Sequence, residues 1–134
     1  MRVLIAEDDL VTGQILTELL RSWDYEVMIV GDGIEALKAL RADPGLQLAM
    51  LDWMLPGIDG PDVCRSIRQY RGDAPIYVIL VTSRREQADV IAGIEAGADD
   101  YVGKPYSPID LRARLEAGIR VLEAANAERA KMEH

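Results

Sequence analysis

The sequence predicts an α/β domain built on a parallel sheet, and three observations carry the prediction. Five short apolar runs alternate with five stretches of helical period, glycine, proline and acidic residues punctuate the connections, and three of the runs are apolar on both faces. Strands covered by helices on both sides read this way, which puts residues 3–6, 48–51 and 76–81 at the centre of the sheet.

The first strand, Arg2–Ala6, stops at Glu7, Asp8 and Asp9, and the helix after it sets Val11, Ile15, Leu16, Leu19 and Leu20 on one face. Strand Glu26–Val30 precedes a helix at 34–41, strand 46–52 a helix at 61–70, and strand 76–81 a helix at 86–96. A short strand at 100–102 leads to a helix that begins at Pro108 and runs to about residue 131, interrupted only by Gly118 at a cost of about 1 kcal/mol. That helix spans roughly 36 Å at 1.5 Å per residue. Its far part is Ala-rich and polar, with Leu115, Ile119, Leu122 and Asn126 at alternating spacings of four and three. Two readings fit: a solvated extension, or the start of a two-stranded coiled coil whose register Asn126 fixes.

Composition bounds the function. The 134 residues are 49% hydrophobic and 28% charged, which suits one globular core, and the net charge of −8 repels phosphate backbones and anionic membranes. Direct nucleic-acid binding by this chain is not expected. A single cysteine, Cys64, cannot form an internal disulfide, and no run approaches the ~18 apolar residues of a membrane span. A cytoplasmic protein without a membrane segment is expected.

In parallel α/β sheets ligands sit beyond the carboxyl ends of the strands. There the sequence places Glu7-Asp8-Asp9, Asp52, Thr82-Ser83 and Lys104-Pro105. If the first and third strands are neighbours, Glu7, Asp8 and Asp52 converge, and a compact set of hard oxygens suits Mg2+. A carboxylate nucleophile, a hydroxyl and an ammonium around such an ion are equipment for phosphoryl transfer onto Asp52. Each residue alone has a plainer reading. A lone acid after a strand caps a helix or turn, three acids favour a helix N-terminus, Thr82 and Ser83 suit the cap of the next helix, and Lys104 suits a solvated loop. Tyr101 suits packing on an edge strand. His134, the only histidine, is terminal and expected to be solvated.

The stretches VLIAEDD (3–9), GDGIEAL (31–37), LDWMLPGIDG (51–60), VILVTS (78–83) and EAGADDYVGKPYSPIDLRARL (95–115) together resemble the receiver domains of two-component response regulators. The resemblance spans residues 2 to about 122, giving a receiver at 1–122 and a helix extension at 123–134. It implies a flavodoxin-like doubly wound sheet in the order 2-1-3-4-5, and phosphoryl transfer to Asp52 from the phosphohistidine of a sensor histidine kinase or phosphotransfer protein. It further implies Mg2+, replaceable by Mn2+, on Asp8, Asp52, the Met54 carbonyl and, mainly through water, Glu7. Asp9 is then a helix N-cap, and Thr82 places its hydroxyl on a phosphoryl oxygen. Lys104 pairs with Asp52 and then with the phosphoryl group, the Lys104-Pro105 bond is cis, and Tyr101 turns inward as Thr82 moves. Neither Met54 nor Arg84 is an acid or amide that would position hydrolytic water, so a phosphorylated state without especially fast decay is expected.

The implied output is a change in the face formed by the fourth helix, fifth strand and fifth helix. That face carries Arg85, Glu86, Asp99, Asp100, Arg112 and Arg114, and is read by a downstream protein, a covalently linked output domain, or a second copy in a homodimer. A signalling switch of this kind assists only its own phosphorylation and dephosphorylation and is not an enzyme acting on a separate metabolite. Two alternatives stand beside it: a degenerate receiver serving as an unphosphorylated adaptor, against which Asp8, Asp52, Thr82 and Lys104 are all present, and an aspartyl-nucleophile phosphohydrolase, which would carry an acid where Met54 stands. A nucleotide or flavin site is excluded by acids where phosphate needs backbone amides.

Overall fold

The structure is a computed structural model and describes residues 1–84 and 86–132; Arg85 and His134 lie outside the described residues. Strands and helices alternate as β1 (Arg2–Ala6), α1 (Leu10–Ser22), β2 (Glu26–Val30), α2 (Gly33–Ala42), β3 (Leu48–Asp52), α3 (Gly60–Arg71), β4 (Tyr77–Thr82), α4 (Gln87–Glu95), β5 (Asp100–Gly103) and α5 (Pro108–Met132). The strands form one parallel sheet in the order β2-β1-β3-β4-β5. This is the flavodoxin-like doubly wound arrangement.

Alternation along each strand divides the core in two. Leu4, Ala6, Ala49, Leu51, Val78 and Leu80 face α2 and α3, where Ala36, Leu40, Val63, Cys64 and Ile67 meet them. Val3, Ile5, Leu48, Met50, Ile79 and Val81 face α1 and α5, against Leu16, Leu20, Leu111, Leu115 and Leu122. With both faces covered, the central strands lack the polar alternation of a half-exposed sheet. Burial of Cys64 in the first cluster pushes its thiol up to about 11, which leaves it inert at neutral pH.

Asp9, Asp32 and Asp59 cap α1, α2 and α3, their carboxylates accepting from the backbone N–H groups of Thr12, Glu35 and Asp62. The carboxyl end of α2 is closed differently. Arg71, from α3, donates to the carbonyls of Leu40 at 2.9 Å, Asp43 at 3.1 Å and Leu46 at 2.7 Å, so carbonyls a helix end leaves orphaned meet a charged donor.

One expectation is corrected. The buried face of α1 is Gly13, Leu16, Thr17 and Leu20, while Val11 and Ile15 are 65% and 61% exposed. Small Gly13 lets α1 lie close to β2, and the apolar Val11 and Ile15 fall outside that contact. Asn126 exchanges two 3.0 Å amide hydrogen bonds with Gln47, and Leu115 and Leu122 are spent on the chain's own sheet. Leu115, Ile119 and Leu122 of that row thus pack within the domain. Asp99, itself exposed, accepts from Arg68 and from the Val78 N–H, and Arg114 pairs with Asp100 and Asp110 of its own chain.

Gly118 is where α5 approaches β4: a Cβ there would lie 2.7 Å from Tyr77 Cδ1 and 2.9 Å from Cε1, on a buried ring. At Gly13 a Cβ would press only on the flexible end of Ile29, 2.6 Å away, with Glu7 Cγ at an ordinary 3.7 Å. Overpacking costs about 1–3 kcal/mol and the helix gain is about 1 kcal/mol. Gly118→Ala is expected to lower the urea midpoint and Gly13→Ala to leave it level or raise it; equal midpoints for the two would contradict the packing.

Candidate functional site

Register sets the site. Ala6 lies beside Leu51, Asp52 beside Val81, and Thr82 beside Gly103, so β1, β3, β4 and β5 end on one edge with Glu7, Asp52, Thr82 and Lys104 following in turn. The Lys104 N–H donates to the Thr82 carbonyl at 2.7 Å, which carries the pairing one residue past the end of β5. The Lys104-Pro105 peptide is cis.

The Lys104 ammonium donates to Glu7 Oε1 at 2.9 Å and to Asp52 Oδ2 at 3.1 Å. Both carboxylates are largely withdrawn from water, with side-chain exposures of 5% and 13%. Burial pulls the Lys104 pKa down, but the hydrogen bonds and charges of Glu7 and Asp52 outweigh it and hold the group above the ordinary lysine value. The ammonium therefore stays charged at neutral pH. Asp8 completes an acidic group: carboxylate oxygens of Glu7, Asp8 and Asp52 all lie within 4.8 Å of one another, with Glu7 buried, Asp52 partly buried and Asp8 exposed. This hard-oxygen donor set, one side open to water, fits a divalent cation that keeps part of its hydration shell.

Thr82 is 1% exposed, and its Oγ1 accepts from the Arg84 N–H at 3.1 Å. Neither Thr82 nor Ser83 caps α4, whose N-cap is Glu86 with no side-chain cap bond. Met54 has a 61% exposed side chain, and its Sδ lies 3.5 Å from Arg84 Nη2. Tyr101 is partly buried; its hydroxyl donates to the Arg84 carbonyl at 2.5 Å and its ring meets the edge of Trp53, with centroids 6.1 Å apart. Thus Glu7, Asp8, Asp52 and Lys104 share one cluster, while Thr82, Met54 and Tyr101 are joined to one another through Arg84.

Trp53 and Tyr106 also lie at the site, which the sequence alone does not show. Trp53 is 8% exposed, under the Arg84 guanidinium at 5.2 Å. Tyr106 lines a small cavity beneath the cluster together with Glu7, Asp52 and Lys104. Position beside Asp52 and Lys104 was the only signal either residue offered.

The sequence matches the response regulator receiver domain over residues 3–116. The chain belongs to this family. This receiver domain is 40% identical over 127 residues to the DNA-binding response regulator MtrA of Mycolicibacterium smegmatis, an alignment covering 95% of the chain and 54% of the relative. It spans about half the length of the curated relatives it matches. Among solved structures it is similar to the beryllofluoride-activated N-terminal receiver domain of Klebsiella pneumoniae RstA, with TM-score 0.81, 33% identity and coverage of 90% and 99% of the two chains. It is also similar to the receiver domain of the sensor histidine kinase PA1611 of Pseudomonas aeruginosa, described with a magnesium ion in its active-site cleft: TM-score 0.80, 30% identity, coverage 88% and 96%.

Replacing Lys104 by methionine leaves Glu7 and Asp52 facing each other unneutralised. In EDTA, Lys104→Met is expected to lose about 1–2 kcal/mol of unfolding free energy, reduced from a fully buried pair by its partial exposure. Added Mg2+ should restore more stability to the variant than to the native protein. Denaturation curves unchanged by the substitution would contradict the neutralising role.

Proposed function

We propose that this receiver domain is a phosphorylation switch with Asp52 as its acceptor. The observation that carries the reading is the Lys104 ammonium held between Glu7 and Asp52 at the carboxyl edge of the sheet. An Asp52 carboxylate oxygen attacks the phosphorus of a phosphohistidine on a sensor histidine kinase or phosphotransfer protein. The P–N bond breaks as the P–O bond forms, and the imidazole leaves with the bonding pair and takes up a proton. Lys104 follows the charge as it moves from the carboxylate to the phosphoryl oxygens, and Thr82 turns its hydroxyl onto one of them.

Mg2+, or Mn2+ in its stead, would be held by Asp8, Asp52, the Met54 carbonyl and, through water, Glu7, and when bound supplies neutralisation of phosphoryl charge. The magnesium ion described in the PA1611 receiver supports this assignment. So does the convergence of three carboxylates.

Phosphorylation adds charge and acceptor oxygens next to Thr82, and Thr82, Arg84 and Tyr101 form a connected path to α4 and β5. The face of α4, β5 and α5 is the output, available to a partner protein, a linked output domain or a second copy. The name of the M. smegmatis relative supports a DNA-binding output for the whole regulator. With a net charge of −8, the receiver itself is not the part that contacts DNA. It transforms no separate metabolite, and Met54, standing two places after the acceptor, disfavours a phosphohydrolase.

Intact-mass spectrometry after incubation with acetyl phosphate and Mg2+ tests the switch. A gain of one phosphoryl group, lost in Asp52→Ala, is expected. An unmodified native protein would favour the adaptor instead.

A further inference from the structure

The stretch GDGIEAL turns β2 into α2, and the switch as described gives it no task. Asp32 caps the helix by accepting from the Glu35 N–H, and the Glu35 carboxylate reaches back to accept from the Gly31 N–H at 3.2 Å, so the turn is closed on itself. Its two glycines differ. Neither has a left-handed backbone, and a Cβ at Gly31 would meet open space. A Cβ at Gly33 would run into the carbonyl of Ile58, with the carbonyl carbon 2.9 Å and Ile58 Cγ1 2.8 Å away. Close approach, not conformation, is what calls for glycine at position 33.

The segment that Gly33 meets is the loop 53–59, which leaves the predicted acceptor and comes back to it. At its return the Gly60 N–H donates to the Trp53 carbonyl at 2.9 Å, and a Cβ at Gly60 would lie 2.5 Å from the Asp52 carbonyl oxygen. Its middle rests on the first turn of α2, where the Gly33 N–H donates to the Pro56 carbonyl at 3.1 Å and the Ile34 side chain lies beside Gly57. Met54 stands between these two fixed points.

We infer that Gly33 is a positioning residue for the metal site: the bare first turn of α2 is a seat that sets the depth of the loop 53–59 and, through it, the place of the Met54 carbonyl. The inference rests on the reading above in which that carbonyl serves Mg2+. Magnesium demands a near-octahedral set of oxygens at about 2.0–2.1 Å, so a small displacement of one ligand weakens its hold. A methyl group at position 33 displaces the loop rather than the helix. Ala36 and Leu40 anchor α2 in the core, and Arg71 holds its far end by the carbonyls of Leu40 and Asp43. None of the seat's contacts involves Thr82, Arg84 or Tyr101, so the seat is separate from the residues that would move on phosphorylation.

The test is the Mg2+ midpoint read from the 1H–15N NMR shifts of the Trp53 and Met54 amides, set beside the urea midpoint of each protein. Gly33→Ala is compared with two controls. Gly31→Ala makes the same change two residues away in open space, and Gly118→Ala makes a clash with Tyr77 at the opposite end of β4. Residues that support metal ligands are worth about 10–100-fold in affinity, so Gly33→Ala is expected to raise the Mg2+ midpoint about tenfold or more while both controls keep the native value. Ile34→Ala, which trims a half-exposed side chain from the same seat, should shift it in the same direction by less. A folded Gly33→Ala with the native Mg2+ midpoint, or either control shifted as far as Gly33→Ala, overturns the seat. If Gly33→Ala does not fold, Ile34→Ala decides, and an unchanged midpoint there overturns it. A native protein whose Trp53 and Met54 amides do not respond to Mg2+ overturns the metal reading and the seat with it, so the two failures are distinguishable.

Discussion

The arrangement depends on the Lys104 ammonium between one buried and one partly buried carboxylate. Glu7 and Asp52 come from different strands, both are shielded from water, and their oxygens lie within 4.8 Å. At an effective dielectric of about 20, two such charges repel by roughly 3 kcal/mol, a large share of the stability of an ordinary domain. Lys104 removes the conflict by donating to both. A bridged pair of this kind is poised, because any second source of positive charge at Asp8 or Asp52 relieves the lysine of part of its duty. In the proposed switch the ammonium then follows negative charge delivered to Asp52.

The sheet makes the juxtaposition obligatory. Parallel strands in the order β2-β1-β3-β4-β5 put the ends of β1 and β3 side by side, and β4 and β5 bring a hydroxyl and an ammonium to the same edge. A slip of one residue in any of these pairings would turn a functional side chain to the opposite face. The two core clusters, one on each face, hold the register against such a slip. Close approaches such as Gly118 against Tyr77 fix how the helices seat on it.

Local features were legible in the sequence and long-range ones mostly were not. Strand runs, turn residues and the aspartate caps of α1, α2 and α3 depend on neighbours a few positions away. Polar groups at strand ends stood out because the strands before them are so apolar. Strand order needed the family resemblance, since crossover connections leave no mark in any single strand. The face of α1 was misread because apolar periodicity favoured Val11 and Ile15, whereas the contact with the sheet needed the small Gly13 and admitted Thr17. The partner Asn126 finds in the fold, Gln47, is 79 residues away and invisible at helical spacing. Arg71 and Arg84 are ordinary surface arginines in sequence; the carbonyls of one and the Trp53, Met54 and Asp89 contacts of the other exist only in the fold.

The central claim is that Asp52 is the atom-level destination of the phosphoryl group and that Lys104 moves from bridging two carboxylates to serving that group. A crystal structure with Mg2+ and beryllofluoride tests it most directly. The account predicts the beryllium on a carboxylate oxygen of Asp52, with Lys104 Nζ and Thr82 Oγ1 on its fluorides and the Lys104 bond to Glu7 given up. Beryllofluoride on any other side chain, or Lys104 still bridging Glu7 and Asp52 beside the bound mimic, would contradict it.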